Sequence, residues 1–301
     1  MRVSEPLVQI ILLNWNGWRD TVECVESCQK LSYPNFRIVV VDNGSTDGSE
    51  EILRKRFPTV ELIQTGANLG FAGGNNAGIR HALSSGAEYV WLLNNDTVVA
   101  PDALTELVRV AESDPRAGMV GSKIVYHDDT GLLWFAGAVL DPEQPHRPYH
   151  QGLRQRDAGQ NDRVAETGYV TGCSLLARKE MMAEVGLLDD GLFLYFEDVD
   201  WSARAVCVGW KLLYAPASVV RHKESVSSGG AASPRLVYYT ARNRLYFVRR
   251  NFPAKLWAAL CYDLFEHVLV NLKKGRLACA RAGLRGILDF LRGKAGPLPE
   301  P

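Results

Sequence analysis

The densest chemical signal in the chain is Phe196-Glu197-Asp198-Val199-Asp200-Trp201, where three carboxylates fall within four positions at the end of the aromatic run Phe193 to Phe196. A carboxylate crowded beside apolar walls loses solvation. Its pKa rises, and it becomes suited to taking a proton from a hydroxyl. The macrodipole also favours acids in a first helical turn, which accounts for the acids but not for the aromatics around them. Upstream, Asn94-Asn95-Asp96 follows the apolar run Tyr89 to Leu93, so Asp96 emerges at a strand end. One carboxylate together with phosphate oxygens and water is a usual way to hold Mg2+. Capping the stretch Thr97 to Asp102 is the competing use of Asp96. His222 closes the run Ser218-Val219-Val220-Arg221-His222. Arriving beside Asp96 it would complete a Mg2+ or Mn2+ shell, the nitrogen suiting Mn2+ better, and a structural role stands open beside that one.

Two further strand ends carry polar turns, Asn14-Trp15-Asn16-Gly17 and Asp42-Asn43-Gly44-Ser45-Thr46-Asp47. In an open parallel sheet, ligands bind beyond the carboxyl ends of the strands, and these turns supply amides, a carboxylate and glycines where a nucleoside would fit. Asx-Gly pairs also make ordinary turns. The segment Asn68 to Gly78, with Gly70, Gly73, Gly74 and Gly78, reads as a glycine-rich stretch just before a helix, its amides free to meet phosphate or ribose oxygens. It lacks the Lys-Ser/Thr of a P-loop and does not follow the first strand, which excludes kinase and dinucleotide-dehydrogenase readings.

The elements that must position these residues follow from hydrophobic periodicity. Through residue 125, short apolar runs (Leu7 to Leu13, Phe36 to Val41, Val60 to Ile63, Tyr89 to Leu93, Met119 to Val125) alternate with amphipathic stretches. That is the pattern of a mostly parallel α/β sheet flanked by helices. Asp20 with Glu23 reads as a capped helix start, and helices are expected over Ser45 to Arg56, Asn75 to Ser84 and Asp102 to Ser113. Residues 126 to 166, with three prolines between 142 and 148, read as a loop-rich insertion. A strand from Gly168 to Ala177, a helix from Lys179, the acidic helix near Glu197 and strands Lys211 to Tyr214 and Val219 to Arg221 complete a domain over residues 1 to 234.

Residues 235 to 301 form a tail of 13 Lys/Arg against 4 Asp/Glu, a net of +9 in a chain whose total is zero. A basic tail behind an acidic body points to an anionic surface, or to a merely solvated helical face. Helices are expected over Ala254 to Leu272 and Arg276 to Arg292. Neither reads as a membrane span, which needs roughly 20 nearly uncharged residues. The second sets Leu277, Leu284, Ile287, Leu288 and Leu291 against Arg281, Arg285 and Arg292, which suits a helix lying in a membrane interface or packing on the body. The six cysteines show no CxxC pair, so a reducing compartment is expected. The chain enters its first strand at Leu7 without a basic leader, so no signal peptide is expected and the catalytic part would stay cytoplasmic.

Taken in order, these motifs resemble the family 2 glycosyltransferases of GT-A fold, in particular their rhamnosyltransferase-like branch, over roughly residues 7 to 225. The resemblance implies that Asn14, Trp15, Asn16, Asp42 and Asn43 bind the nucleoside, and that Asn68, Gly70, Gly74, Asn75 and Asn95 line the donor. It implies a divalent metal at Asp96, with His222 near the diphosphate, an acceptor side at Gly172, Cys173 and Trp201, and an ED motif at Glu197-Asp198 with Asp198 as general base. The expected reaction is inverting transfer from a nucleoside diphosphate sugar to a glycan or lipid-linked acceptor of the cell envelope. dTDP-rhamnose is favoured, and UDP-sugars such as galactose or N-acetylglucosamine donors are kept open. A non-catalytic donor-binding scaffold is the other class of reading. The absence of QxxRW and of a transmembrane bundle argues against a processive synthase. No nucleic acid is expected as a partner; a peripheral membrane surface at the inner face of the cell membrane, met through the tail, and a homodimer remain open.

Overall fold

The computed structural model describes residues 5–128, 130–224 and 233–298. Four parallel strands, β1 (Val8–Asn14), β2 (Phe36–Asp42), β3 (Glu61–Gln64) and β4 (Tyr89–Asn94), lie in the spatial order 4-1-2-3. β5 (Thr97–Val99) follows, then β6 (Ala117–Tyr126), and then four short strands of the insertion: β7 (Leu133–Phe135), β8 (Ala138–Val139), β9 (Tyr149–His150) and β10 (Ala165–Glu166). β11 (Ser174–Arg178) runs antiparallel between β4 and β6, and β12 (Lys211–His222) runs parallel to β6. The carboxyl ends of β1, β2, β4, β6 and β12 therefore share one edge. The amino end of β11 joins them, because Ser174 pairs with Leu93.

Six helices cover the sheet: α1 (Trp18–Cys28), α2 (Ser49–Arg56), α3 (Gly70–Ser84), α4 (Ala103–Glu112), α5 (Lys179–Val185) and α6 (Glu197–Cys207). Strand side chains alternate between faces, so Val8, Ile10 and Leu12 of β1 pack with Cys24 of α1, Leu53 of α2 and Leu104 of α4. Ile11 turns to the other face, with Ile79 of α3, Met181 of α5 and Trp201 of α6. Each large side chain so buried contributes about 1.5–3 kcal/mol relative to exposure.

Three expectations are corrected. Asp20 and Glu23 do not cap α1, whose preceding Gly17 makes no side-chain bond. Both instead pair with Lys223, at 2.8 and 2.5 Å, and tie the helix to the end of β12. The two strands expected near residues 211 and 219 are one strand with a register shift between Ala215 and Val219, where Pro216 has no N–H to give the ladder. The glycine segment does not precede a helix; it is the first half of one, since α3 begins at Gly70.

Those glycines serve close approach. A Cβ at Gly78 would stand 2.7 Å from Ile11 Cγ2 and 3.1 Å from Val41 Cγ2. Gly78→Val is accordingly expected to lower stability by about 2 kcal/mol, through overpacking that outweighs better helix propensity. Urea unfolding checks this. A lower midpoint with an unchanged slope is the expected result, and an unmoved midpoint would show the helix stands clear of the sheet.

Periodicity left α7 (Pro234–Asn251) unread. Its N-cap Ser233 accepts from the Leu236 amide at 3.1 Å, with Pro234 at the first helical position. Then come α8 (Leu256–Asp263), a π-helical stretch (Leu264–Leu269), α9 (Val270–Lys273) and α10 (Leu277–Leu291). No described helix is long and apolar enough to cross a membrane.

Candidate active site

A chain of hydrogen bonds joins three strand ends. Asn95 Nδ2 donates to Thr21 Oγ1 at 2.8 Å, Thr21 donates to Asn14 Oδ1 at 2.8 Å, and Asn14 Nδ2 donates to Asp42 Oδ1 at 2.7 Å. Asp42 is fully buried, its other oxygen accepting from Gln64 Nε2 at 2.7 Å and from the Ser45 amide at 3.3 Å. Asn16 sits at a left-handed φ of 51° and accepts from the Thr46 amide at 2.8 Å, which holds the first two turns together. Trp15 lies under the Arg235 guanidinium, 5.3 Å from its ring centre. Asn43 accepts from the Leu69 amide at 3.0 Å and donates to the Gly70 carbonyl at 3.0 Å, so the second turn is bound to the start of α3. Asn68 Oδ1 accepts from the Gly70 amide at 2.9 Å.

The amides at the start of α3 are not open to a ligand, contrary to expectation. Phe71 N donates at 2.7 Å, and Ala72 N at 3.3 Å, to the carbonyl of Phe193. A side chain at Gly70 would collide with that carbonyl at 2.3 Å, which is why glycine stands there at φ 74°. Gly74 packs against Leu13, and Asn75, buried, donates to the Phe71 carbonyl one turn back at 2.9 Å. Trp201, placed on the acceptor side by resemblance, is wholly buried and donates to the Gly186 carbonyl at 2.8 Å. It anchors α6 to the sheet, its side chain having no exposed surface to offer an acceptor.

Asp96 and His222 do meet. β5 pairs with β12 so that Thr97 lies opposite His222, which brings Asp96 Oδ1 to 3.2 Å from His222 Nε2. Both are largely buried. Burial works against a charged ring, yet the Cys173 sulfur and the Asp96 carboxylate beside it hold His222 well above its ordinary pKa. No group of three His, Cys, Asp or Glu side chains arranged to hold a metal ion exists among the described residues. The two donors present nevertheless fit one cation, since adjacent ligands at ~2.1 Å and right angles stand about 3 Å apart. Such a cation would displace the imidazole proton.

Asp198 meets the Gly172-Cys173 segment, whose Cys173 sulfur lies beside His222. Its Oδ2 accepts from the Gly172 amide at 2.9 Å and its Oδ1 from the Val199 amide at 2.8 Å, while the Cys173 carbonyl accepts from Asn94 N at 3.0 Å. Burial raises the Asp198 pKa, and the two amides partly restrain the rise. Glu197 is pushed well above the carboxylate range, first by burial and then by Asp198, and its Oε2 has no partner. Both carboxyls are thus raised by burial, and the two backbone amides that Asp198 accepts from favour its ionised form over that of Glu197.

The turn before them is strained. Phe193, Tyr195 and Phe196 all take left-handed φ values, 65°, 69° and 72°, a conformation costing roughly 1–2 kcal/mol for each residue with a Cβ. α7 holds it there. Asn243, fully buried, donates through Nδ2 to the carbonyls of Leu192, Leu194 and Tyr195 at 2.7, 2.8 and 2.9 Å. Arg242 orients that amide, its Nε donating to Asn243 Oδ1 at 2.9 Å, and Tyr239 stacks on Phe193 at 5.4 Å. These supports escaped the sequence reading. Their signal was the polar triplet Arg242-Asn243-Arg244 set between Tyr238-Tyr239 and Leu245, a place where a helix facing a core would carry apolar residues.

An α/β sheet with polar strand ends, an acid–histidine pair and a carboxyl pair on one edge defines a glycosyltransferase of GT-A fold. The comparisons agree. The chain belongs to glycosyl transferase family 2, whose model matches residues 9–186, and within it to a rhamnosyltransferase-like branch. It is 30% identical over 234 residues to the N-acetylglucosaminyl-diphospho-decaprenol L-rhamnosyltransferase of Mycobacterium tuberculosis, covering 71% of this chain and 75% of that one. It is 23% identical to the dTDP-rhamnosyl transferase RfbF of Shigella flexneri, over 89% of this chain and 90% of that one. The mannosyltransferase PcManGT of Pyrobaculum calidifontis, solved with GDP-Man and Mn2+, shares the fold with a TM-score of 0.61 at 18% identity, over 97% of this chain and 89% of that one.

Proposed function

We propose that this glycosyltransferase moves a sugar, with rhamnose favoured, from a dTDP- or UDP-sugar to a hydroxyl of a lipid-linked envelope glycan, with inversion. The observation that supports the reading is Asp198, held by two backbone amides, one of them of Gly172, the neighbour in the chain of Cys173, whose sulfur lies beside His222. Asp198 takes the acceptor proton as the hydroxyl attacks the anomeric carbon. Glu197, whose pKa burial and the neighbouring Asp198 raise, has no side-chain partner at Oε2, whereas Asp198 is held by two amides, which makes Asp198 the better candidate for the base of a direct displacement. Asp96 and His222 would hold Mg2+ or Mn2+, which supplies positive charge where the leaving diphosphate gathers negative charge. The turns at Asn14–Asn16 and Asp42–Asn43 receive the nucleoside, with Asp42 meeting the base once Gln64 yields its hydrogen bond. The names of the mycobacterial and Shigella relatives favour rhamnose and, for the former, a diphospholipid acceptor.

The test is acceptor-dependent release of nucleoside diphosphate from a panel of dTDP- and UDP-sugars, with a lipid-extract acceptor and Mg2+ or Mn2+. Release with one donor, abolished by chelation and lowered about 100-fold by Asp96→Ala, is expected. Release unchanged by chelation would remove the metal from the mechanism, and nucleotide binding without release from any donor would favour a non-catalytic scaffold.

A further inference from the structure

The outer surface of the α8–α10 hairpin concentrates the exposed apolar side chains of the molecule. Of fifteen large apolar residues exposed among those described, nine lie between Trp257 and Leu291. Trp257 is 76% exposed, Phe265 58% and Leu291 62%. On α10, Leu277, Leu284, Leu288 and Leu291 form an outward stripe at helical spacing. Of the apolar residues expected to line that helix, only Ile287 turns inward. On the other limb the π-helical stretch places Leu264 and Phe265 side by side outward while Asp263 and Val268 stay buried.

The inward faces are already occupied. A Cβ at Gly286 would stand 2.6 Å from the Tyr238 carbonyl, and one at Gly283 would stand 2.8 Å from the His267 carbonyl, so α10 is pressed against its neighbours there. The outward leucines are therefore surplus to the fold's own core. A contiguous apolar surface of this kind marks an interaction site.

Charge decides the occupant. Lys273, Lys274, Arg276, Arg281, Arg285 and Arg292 are exposed around the stripe, while Asp263 and Asp289 are buried and Glu266 is half-buried. A second copy would bring like charge against like. An anionic lipid surface complements both the cations and the apolar residues between them, each surface cation adding about 1 kcal/mol. The same hairpin reaches the catalytic turn: Arg244 pairs with buried Asp263 and stands 5.5 Å from the Phe196 ring.

We propose that the α8–α10 hairpin docks in the headgroup region of an anionic bilayer, with Trp257, Phe265 and the α10 leucines immersed. In purpose this rests on the lipid-linked acceptor proposed above, because docking brings the turn that carries Asp198 to the carrier lipid. The test floats the full chain with vesicles of phosphatidylcholine alone or mixed with phosphatidylglycerol. Binding to the mixed vesicles only, weakened about tenfold or more by Trp257→Ser/Phe265→Ser, by Lys273→Glu/Lys274→Glu/Arg281→Glu, and by raised salt, is expected. Transfer to a short-chain, water-soluble acceptor should survive in both variants, which shows that they are folded. Binding that either variant retains would overturn the proposal, as would a concentration-dependent dimer that Trp257→Ser/Phe265→Ser abolishes without any flotation of the wild type. Flotation of a wild type that transfers to no lipid-linked acceptor would leave docking standing and sink the acceptor reading instead.

Discussion

Asp198→Asn is expected to lower turnover about 1,000-fold while leaving donor affinity nearly unchanged, within the range a lost general base produces. The substitution is close to isosteric. One side-chain atom still accepts a backbone amide, so the α6 terminus should keep its place. What disappears is a group able to take the acceptor proton. The pH profile supplies a second readout. A base of the kind proposed for Asp198 acts only when ionised, and burial raises its pKa, so wild-type kcat/KM should climb with pH through a limb displaced above the ordinary aspartate value. In the asparagine variant that limb should vanish from the residual rate. A variant with near wild-type turnover, or with the limb intact, would move the base elsewhere.

Asn243→Ala tests whether the base is positioned from the tail. The substitution removes the Asn243 donor from the carbonyls of Leu194 and Tyr195, while that of Leu192 keeps the Leu194 amide and Arg242, and a buried carbonyl left without a donor costs about 1–3 kcal/mol. With the donor gone, Phe193, Tyr195 and Phe196 are expected to relax from their left-handed conformations, carrying the start of α6 with them. Misplacement of about 1 Å reduces turnover roughly 100-fold, so kcat should fall by that order while KM for the donor, proposed above to bind at the strand-end turns, moves little. Asn243→Asp, of the same shape but facing the carbonyls with acceptors, should do no better. Donor KM rising in step with a falling kcat would mean general loosening of the domain; an unchanged kcat in a folded protein would mean the turn holds itself.

Much of the site is legible because it hangs on strand ends. Strand termini follow from where an apolar run gives way to Asn or Asp, and the parallel order then forces Asn14, Asp42 and Asn94 to one edge. Asp96 and His222 are individually ambiguous, and only the pairing of β5 with β12 brings them together. Trp201 shows the limit of reading by neighbourhood. It stands three residues from Asp198, close to one helical turn, yet its side chain is wholly buried among Met119, Val170 and Met181 of the core. Gly70 and Gly74 look like a ligand cradle in one dimension, whereas the chain that approaches Gly70 is its own, at Phe193. α7 went unread because Arg242, Asn243 and Arg244 interrupt its apolar buried face of Val237, Leu245, Phe247 and Val248: Arg242 and Asn243 satisfy backbone carbonyls of a distant turn, and no apolar periodicity announces such a partner.

The clasp on the catalytic turn also has a direction in time. Arg242 reaches the Gly296 carbonyl at 2.7 Å, and the Tyr239 hydroxyl accepts from Leu298 N at 2.7 Å. These partners lie about 100 residues downstream of Asp198. A nascent chain folds its amino-terminal part first, so the sheet and its nucleoside turns can assemble on the ribosome while the loop bearing the base still lacks both halves of its support. The turn before Asp198 would then gain its full support only after residue 298 has been made, and a chain stopped short of that point should carry a formed sheet beside a loose turn.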